Sequence, residues 1–151
     1  MPAYSFQSRF VPFVKDGSKT HTIRNRRRYP AKIGSTCYLY SGLRTKWCQK
    51  IGTGVCVKTF SIAIYQYGVV FYPRLLEDTE LEAARISPFD PLLPIAQVLS
   101  IQECDRLAWA DGFRPDGSTS QNPGGAFNLM IRFWNQTHSL PWAGDIIYWQ
   151  P

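Results

Sequence analysis

The sequence predicts an α+β fold: a small mixed β-barrel of about five or six strands with about three flanking helices. Three observations carry that expectation. Short stretches of alternating apolar and polar residues recur through the first half of the chain. Gly52 and Gly54 interrupt one of them, as strands require where a small barrel bends. A capped, one-faced helix then begins at Ser100. With 151 residues, no internal repeat and no dividing linker, a single domain over 1–151 is expected. That length is enough to bury about two-thirds of the unfolded surface.

The elements follow in order. Tyr4, Phe6, Ser8 and Phe10 alternate with Ser5, Gln7 and Arg9, which reads as a half-buried strand. Val11 to Asp16 suits a short helical turn, with Gly17 as the left-handed residue that ends it. The β-branched run Thr20 to Arg24 reads as a second strand. Gly34 turns into a third, Thr36 to Tyr40, stopped by Ser41-Gly42, and Lys50 to Ile64 holds one or two more. Residues 77–86 are good helix formers that stop before Ser87-Pro88, and three prolines make the next segment irregular.

From Ser100 the pair Ser100 and Glu103 forms a capping box, and Gly112 is the C-terminal stop. Ile101, Cys104, Leu107 and Ala108 make the apolar stripe, which Asp111 continues four residues on from Leu107. A carboxylate on a buried stripe needs a partner. The segment 114–125 reads as a mobile polar loop. Phe127, Met130, Ile131 and Trp134 mark a last amphipathic helix, and Asp145 to Gln150 a terminal strand.

Composition removes several function classes. Aromatics at 15% and charges at 19% do not suit global disorder. No apolar run approaches the roughly 18–20 residues of a membrane span. The N-terminus lacks the basic and apolar regions of a secretory leader, so no membrane partner and a cytoplasmic location are expected. Cys37, Cys48, Cys56 and Cys104 contain no CxxC pair, and His21 and His138 do not complete a ligand set. Reduced packing cysteines and no metal site are the expectation. Trp109 and Trp134, on helix stripes, are read as core, His21 as a residue facing a cleft rim, and His138 as a cap on helix carbonyls.

Charge points to a partner. Residues 1–50 carry eleven basic groups and one acid, net +10, whereas 51–151 carry six basic and ten acidic groups, net −4. Such a local excess attracts a polyanion in a salt-sensitive way. Tyr29, Tyr38, Tyr40 and Trp47 are interleaved with these cations and suit base stacking, so RNA or a nucleotide is the expected partner.

No Walker loop, GxGxxG, GxSxG or HExxH is present. What remains is the polar run Gly17-Ser18-Lys19-Thr20-His21-Thr22-Ile23-Arg24. A threonine hydroxyl attacks well only when a base takes its proton, and a lysine with a depressed pKa is such a base. Anion binding by Lys19 and Arg24 is an equally good reading of these residues alone. On a regular strand Lys19 and Thr22 face opposite ways, while Thr22 and Arg24 share a face. The first two converge only if Lys19 lies in the turn before the strand, or if a bulge intervenes.

The same run, followed by a basic loop, the Gly34 turn and a helix ending Leu107-Ala108-Trp109-Ala110-Asp111-Gly112-Phe113, resembles an ASCH domain, related to PUA RNA-binding modules. Tyr40 to Lys46 and Leu140 to Gly144 look like its phage and prophage branch. The resemblance implies a PUA-like barrel with helices around one cleft and an association with RNA, nucleotides or modified nucleosides. Some small bacterial members are N4-acetylcytidine amidohydrolases with a lysine, a threonine and a glutamate in the catalytic set. The lysine falls on Lys19, the threonine on Thr22, and the glutamate on Asp111, one methylene shorter. The implied amidohydrolase uses no metal or organic cofactor, and backbone N–H groups or Arg24 hold the oxyanion. The alternative is a non-catalytic RNA- or nucleotide-binding module in which Arg24, Arg26, Arg44 and Lys46 contact phosphate. A third reading is an accessory protein that binds a host protein through aromatics around Trp142.

Overall fold

The computed structural model describes residues 2–115 and 124–151. Its architecture is α+β, with one mixed seven-stranded sheet and four helices. The strands are β1 (Ala3–Phe6), β2 (His21–Arg24), β3 (Thr36–Ser41), β4 (Gln49–Tyr65), β5 (Gly68–Phe71), β6 (Gln97–Val98) and β7 (Trp142–Gln150). The helices are α1 (Val11–Lys15), α2 (Asp78–Ile86), α3 (Ile101–Asp111) and α4 (Ala126–Thr137). The expected mobile loop at 114–125 falls largely on 116–123, outside the described residues. Among those residues, no helix is long and apolar enough to cross a membrane.

The alternation read from Tyr4 to Phe10 holds only as far as Phe6; Ser8 and Arg9 are exposed in the turn into α1. The stretch 50–64 lies within one continuous 17-residue strand, β4, which organises the sheet. Its first half pairs antiparallel with β3, its last residues with β5, and Val55 to Ile64 with β7. β7 also pairs antiparallel with β2, and β1 runs parallel to β3. Bulges fall at Leu39/Tyr40 and between Cys56 and Lys58, and they bend the ladder where β4 changes partner.

The sheet is not closed: no ladder joins β1 to β2 among the described residues. Side chains fill that seam instead. The Arg24 guanidinium donates to the Ser5 carbonyl at 2.7 Å, and Arg27 donates to that of Ala3. These bonds satisfy carbonyls that an edge strand would otherwise leave orphaned.

The main core gathers Tyr4, Cys37, Phe60, Ile62, Met130 and Trp149 between sheet and helices. Cys56 and Cys104 are buried there too, while Cys48 is exposed, and all four thiols are free. α3 starts at its Ser100–Glu103 capping box and ends at Gly112, whose φ of 110° favours glycine. Cys104, Leu107, Ala108 and Asp111 form the buried face as expected. Ile101 does not join it; it is 78% exposed, because the stripe begins one turn later. Trp109 is half-buried, and Trp134 is buried as expected.

Candidate functional site

The turn after α1 decides where Lys19 goes. α1 stops at Asp16, and Gly17 takes φ 81°. The Asp16 carboxylate accepts from both the Ser18 amide (2.8 Å) and the Ser18 hydroxyl (2.6 Å). The Lys19 amide then donates back to the Phe13 carbonyl at 2.9 Å. Arg114 locks the turn from outside, donating to Ser18 Oγ at 2.9 Å with its guanidinium between the rings of Phe13 and Trp109. β2 starts only at His21, so Lys19 precedes the strand and is exempt from its alternation. Lys19 and Thr22 therefore line one cleft of about 290 Å³.

Inside the cleft Lys19 is 3% exposed and Asp111 6%. Lys19 Nζ donates to Asp111 Oδ1 at 2.5 Å and to the Asp111 carbonyl at 2.7 Å. His21 Nε2 lies 3.0 Å from the same Oδ1, but off the hydrogen-bond direction. Its ring packs on Tyr148, its register partner, at 5.2 Å. So the predicted stripe carboxylate does have a partner, and that partner is Lys19.

Electrostatics follow from burial. Desolvation pushes Lys19 below the ordinary lysine value, against the pull of Asp111. Burial also works to raise Asp111, but the Lys19 charge and the His21 contact outweigh it and hold the carboxyl well below the usual carboxylate range. Desolvation keeps His21 below its usual value, and pushes Tyr148 up to about 12. The cleft thus holds an ionised carboxylate beside a lysine whose ammonium form is disfavoured relative to water.

Thr22 is 3% exposed, and its Oγ1 accepts from Arg24 Nε at 2.8 Å, as two residues on one strand face can. No hydrogen bond joins Lys19 to Thr22 among the described residues. The cleft walls are aromatic: Phe6, Phe10, Phe113, Phe133, Trp134 and Trp142. Asn25 and His138, also in the lining, were not foreseen as site residues. The Trp142 indole donates to Asn25 Oδ1 at 3.1 Å, which leaves the N–H₂ of that amide as the group able to donate. His138 caps α4 through its backbone amide, while its ring packs at a tilt against Trp134, centroids 4.5 Å apart. The buried Trp134 indole nitrogen has no partner among the described residues.

The residues expected to contact phosphate separate into three settings. Arg24 is at the cleft, bound to Thr22 and Ser5. Arg26 lies away from the cleft lining, forked on Asp145 at 2.5 and 3.0 Å and reaching Ser61 and Asp78. Arg44 and Lys46 are exposed in the β3–β4 loop, Arg44 with φ 68° and Lys46 over the Trp47 ring. That loop meets the cleft mouth where the Leu43 amide donates to Ser5 Oγ. Among the described residues no group of three or more His, Cys, Asp or Glu is placed to hold a metal ion. The chain was compared with protein-family models, curated proteins and solved structures, and it matches none of them.

Proposed function

We propose that the protein hydrolyses an acyl amide carried on a nucleobase-like ring, with N4-acetylcytidine as the reference substrate. One arrangement carries this reading: a buried Lys19–Asp111 pair shares a cleft with Thr22, whose Oγ1 already accepts from a guanidinium. The finer fold assignment, a PUA-like barrel of ASCH type, belongs to the same proposal. It is supported by the bulged mixed sheet, with the seam bridged by Arg24 and Arg27 standing where a barrel would close.

Neutral Lys19 takes the hydroxyl proton of Thr22. Charge developing on Oγ1 is met by Arg24 Nε. Oγ1 bonds to the acyl carbon, and the oxyanion is held by backbone N–H groups and the remaining guanidinium donors. The carbon–nitrogen bond then breaks, and Lys19 returns its proton to the departing exocyclic nitrogen. Water hydrolyses the acyl-threonine ester and frees the carboxylic acid. Asp111 anchors Lys19 and steadies its ammonium form between the two proton transfers. A cleft of about 290 Å³ sits at the small end of ligand pockets and suits a nucleoside. Its aromatic walls fit a planar ring.

Chromatography of N4-acetylcytidine incubated with the protein tests the proposal. Cytidine is expected from the wild type, with losses on the order of 10²–10⁴-fold in Lys19→Ala and Thr22→Ala. Wild-type release no greater than that of the two variants would refute it. Nucleoside binding without turnover would leave the binding-module reading in its place.

A further inference from the structure

A second cavity, larger than the cleft at about 530 Å³, is lined by the basic loop between β2 and β3. It is lined by Arg27, Arg28, Tyr29, Lys32 and Tyr38 together with small and proline residues, and by no acid. It shares no residue with the cleft. Arg27 is committed to the Ala3 carbonyl and the Tyr4 ring. Arg28 and Lys32 are exposed, as is Lys50, whose Nζ sits 5.4 Å from the centre of the Tyr38 ring. None of these three forms an ion pair among the described residues.

Tyr29 is 78% exposed, an aromatic ring that adds nothing to the core. The following Pro30 restricts its backbone to extended conformations, so the ring is held outward at low entropic cost. Tyr38 and Tyr40 lie half-buried on the outer face of β3, whereas Cys37 and Leu39, the residues on either side of Tyr38, are buried in the core. Lys50 is the register partner of Tyr40. Cations without an acidic partner thus alternate with presented rings, Arg28 among them with its guanidinium 5.5 Å from the centre of the Tyr29 ring. Arg28 lies three residues from Asn25 at the cleft. That separation is at most about 11 Å along the chain.

We propose that this groove and the outer face of β3 bind a single strand of nucleic acid, phosphates on Arg28, Lys32 and Lys50 and bases on Tyr29 and Tyr38. The proposal deepens the functional reading of the cleft and rests on it for the substrate class: the acylated base is one carried within a strand whose neighbouring nucleotides lie in the groove. Charge alone would accept any polyanion; the outward rings select a polymer with stackable bases.

Fluorescence anisotropy tests it, with labelled 12-mers of oligouridylate and oligothymidylate, and polyglutamate as a base-free polyanion. Both oligonucleotides should bind more tightly than polyglutamate, and the ratio between them tells RNA from DNA preference. Arg28→Ala/Lys32→Ala should lower the slope of log affinity against log salt by about 1.4, the share of two phosphates on a single strand. Tyr29→Ala should weaken binding about tenfold at fixed salt. Arg106→Ala/Arg132→Ala, the same charge change on α3 and α4, should leave the slope alone. Equal slopes for the two double variants, or polyglutamate bound as tightly as the oligonucleotides, would overturn the groove. Strand binding through the groove without turnover would refute the hydrolase and leave the groove standing. Turnover with no effect of the groove variants would do the reverse.

Discussion

Asp111 and Asp145 are both buried and both paired with a cation from the β2 region, yet they serve opposite ends. Asp111 holds Lys19 from the turn before β2 and borders a ligand-sized cleft. Asp145 holds Arg26 from just after β2, accepts from Ser61, and borders a void of only about 10 Å³. Through Ser61, which also accepts from the Leu76 amide, and through Asp78, that second network ties β2, β4, β7 and α2 together. The difference lies in the cation. A buried lysine can shed its proton, and burial has already moved Lys19 in that direction. A guanidinium stays charged at any ordinary pH. A proton-transfer site is built from the first kind of pair and a permanent brace from the second.

The largest effect expected from breaking this comparison comes from the two Asn variants. Asp111→Asn should cut N4-acetylcytidine turnover on the order of 10²–10⁴-fold. Its cost in stability should shrink as pH rises through the Lys19 pKa, because the orphaned amine can become neutral. Asp145→Asn removes the carboxylate on which the Arg26 guanidinium is forked and should cost about 3–5 kcal/mol with no fading as pH rises from neutral. Urea denaturation at several pH values, with turnover measured beside it, separates the two. A loss of stability in Asp145→Asn that fades at high pH would erase the distinction.

His21 sharpens the comparison on the acid side. Its folded-state pKa lies below the unfolded 6.5, so it favours the folded state while neutral. Stability is therefore full above pH 6.5 and falls as pH drops from there toward the folded value. Asp111, also depressed, adds its own loss only below its unfolded 3.8. His21→Asn should make the fall in stability below pH 6.5 shallower, read by thermal unfolding across pH, and leave the share of His138, which burial also depresses, and the lower limb. An unchanged profile would mean that another group titrates there.

The smallest effect is expected at the clamp on the turn. Arg114→Met loses the bond to Ser18 and the two ring contacts, about 1–2 kcal/mol together. It should also lower turnover, because the turn it holds carries Lys19. Stability loss with turnover untouched would make Arg114 a brace of the Asp145 kind.

Much of the site was legible residue by residue. The run from Gly17 to Arg24 stood out because its residue types are the reactive ones, and Asp111 because a carboxylate on an apolar stripe demands a partner. That Lys19 and Thr22 converge depended on whether the turn ended before His21, a matter of two residues. Asn25 carried no signal, and His138 and Trp142, read as a helix cap and as part of a protein-binding aromatic patch, reach the cleft only through the α4–β7 packing. Arg26 was expected to contact phosphate, and nothing local marked it as the partner of Asp145, 119 residues on.

What the amino-acid sequence determines by itself is what short-range chemistry decides. The limits of α3 follow from Ser100, Glu103 and Gly112, groups that bond within a few residues of one another. The inward faces of β3 and α3 follow from their periods of 2 and 3.6. A period states which side of a strand is apolar and leaves its neighbour unnamed. The exchange of β4 between β3, β5 and β7, the open seam at β1 and the meeting of Lys19 with Asp111, 92 residues away, were decided by tertiary packing. Only there do backbone carbonyls, buried charges and cavity walls from distant segments have to be satisfied together.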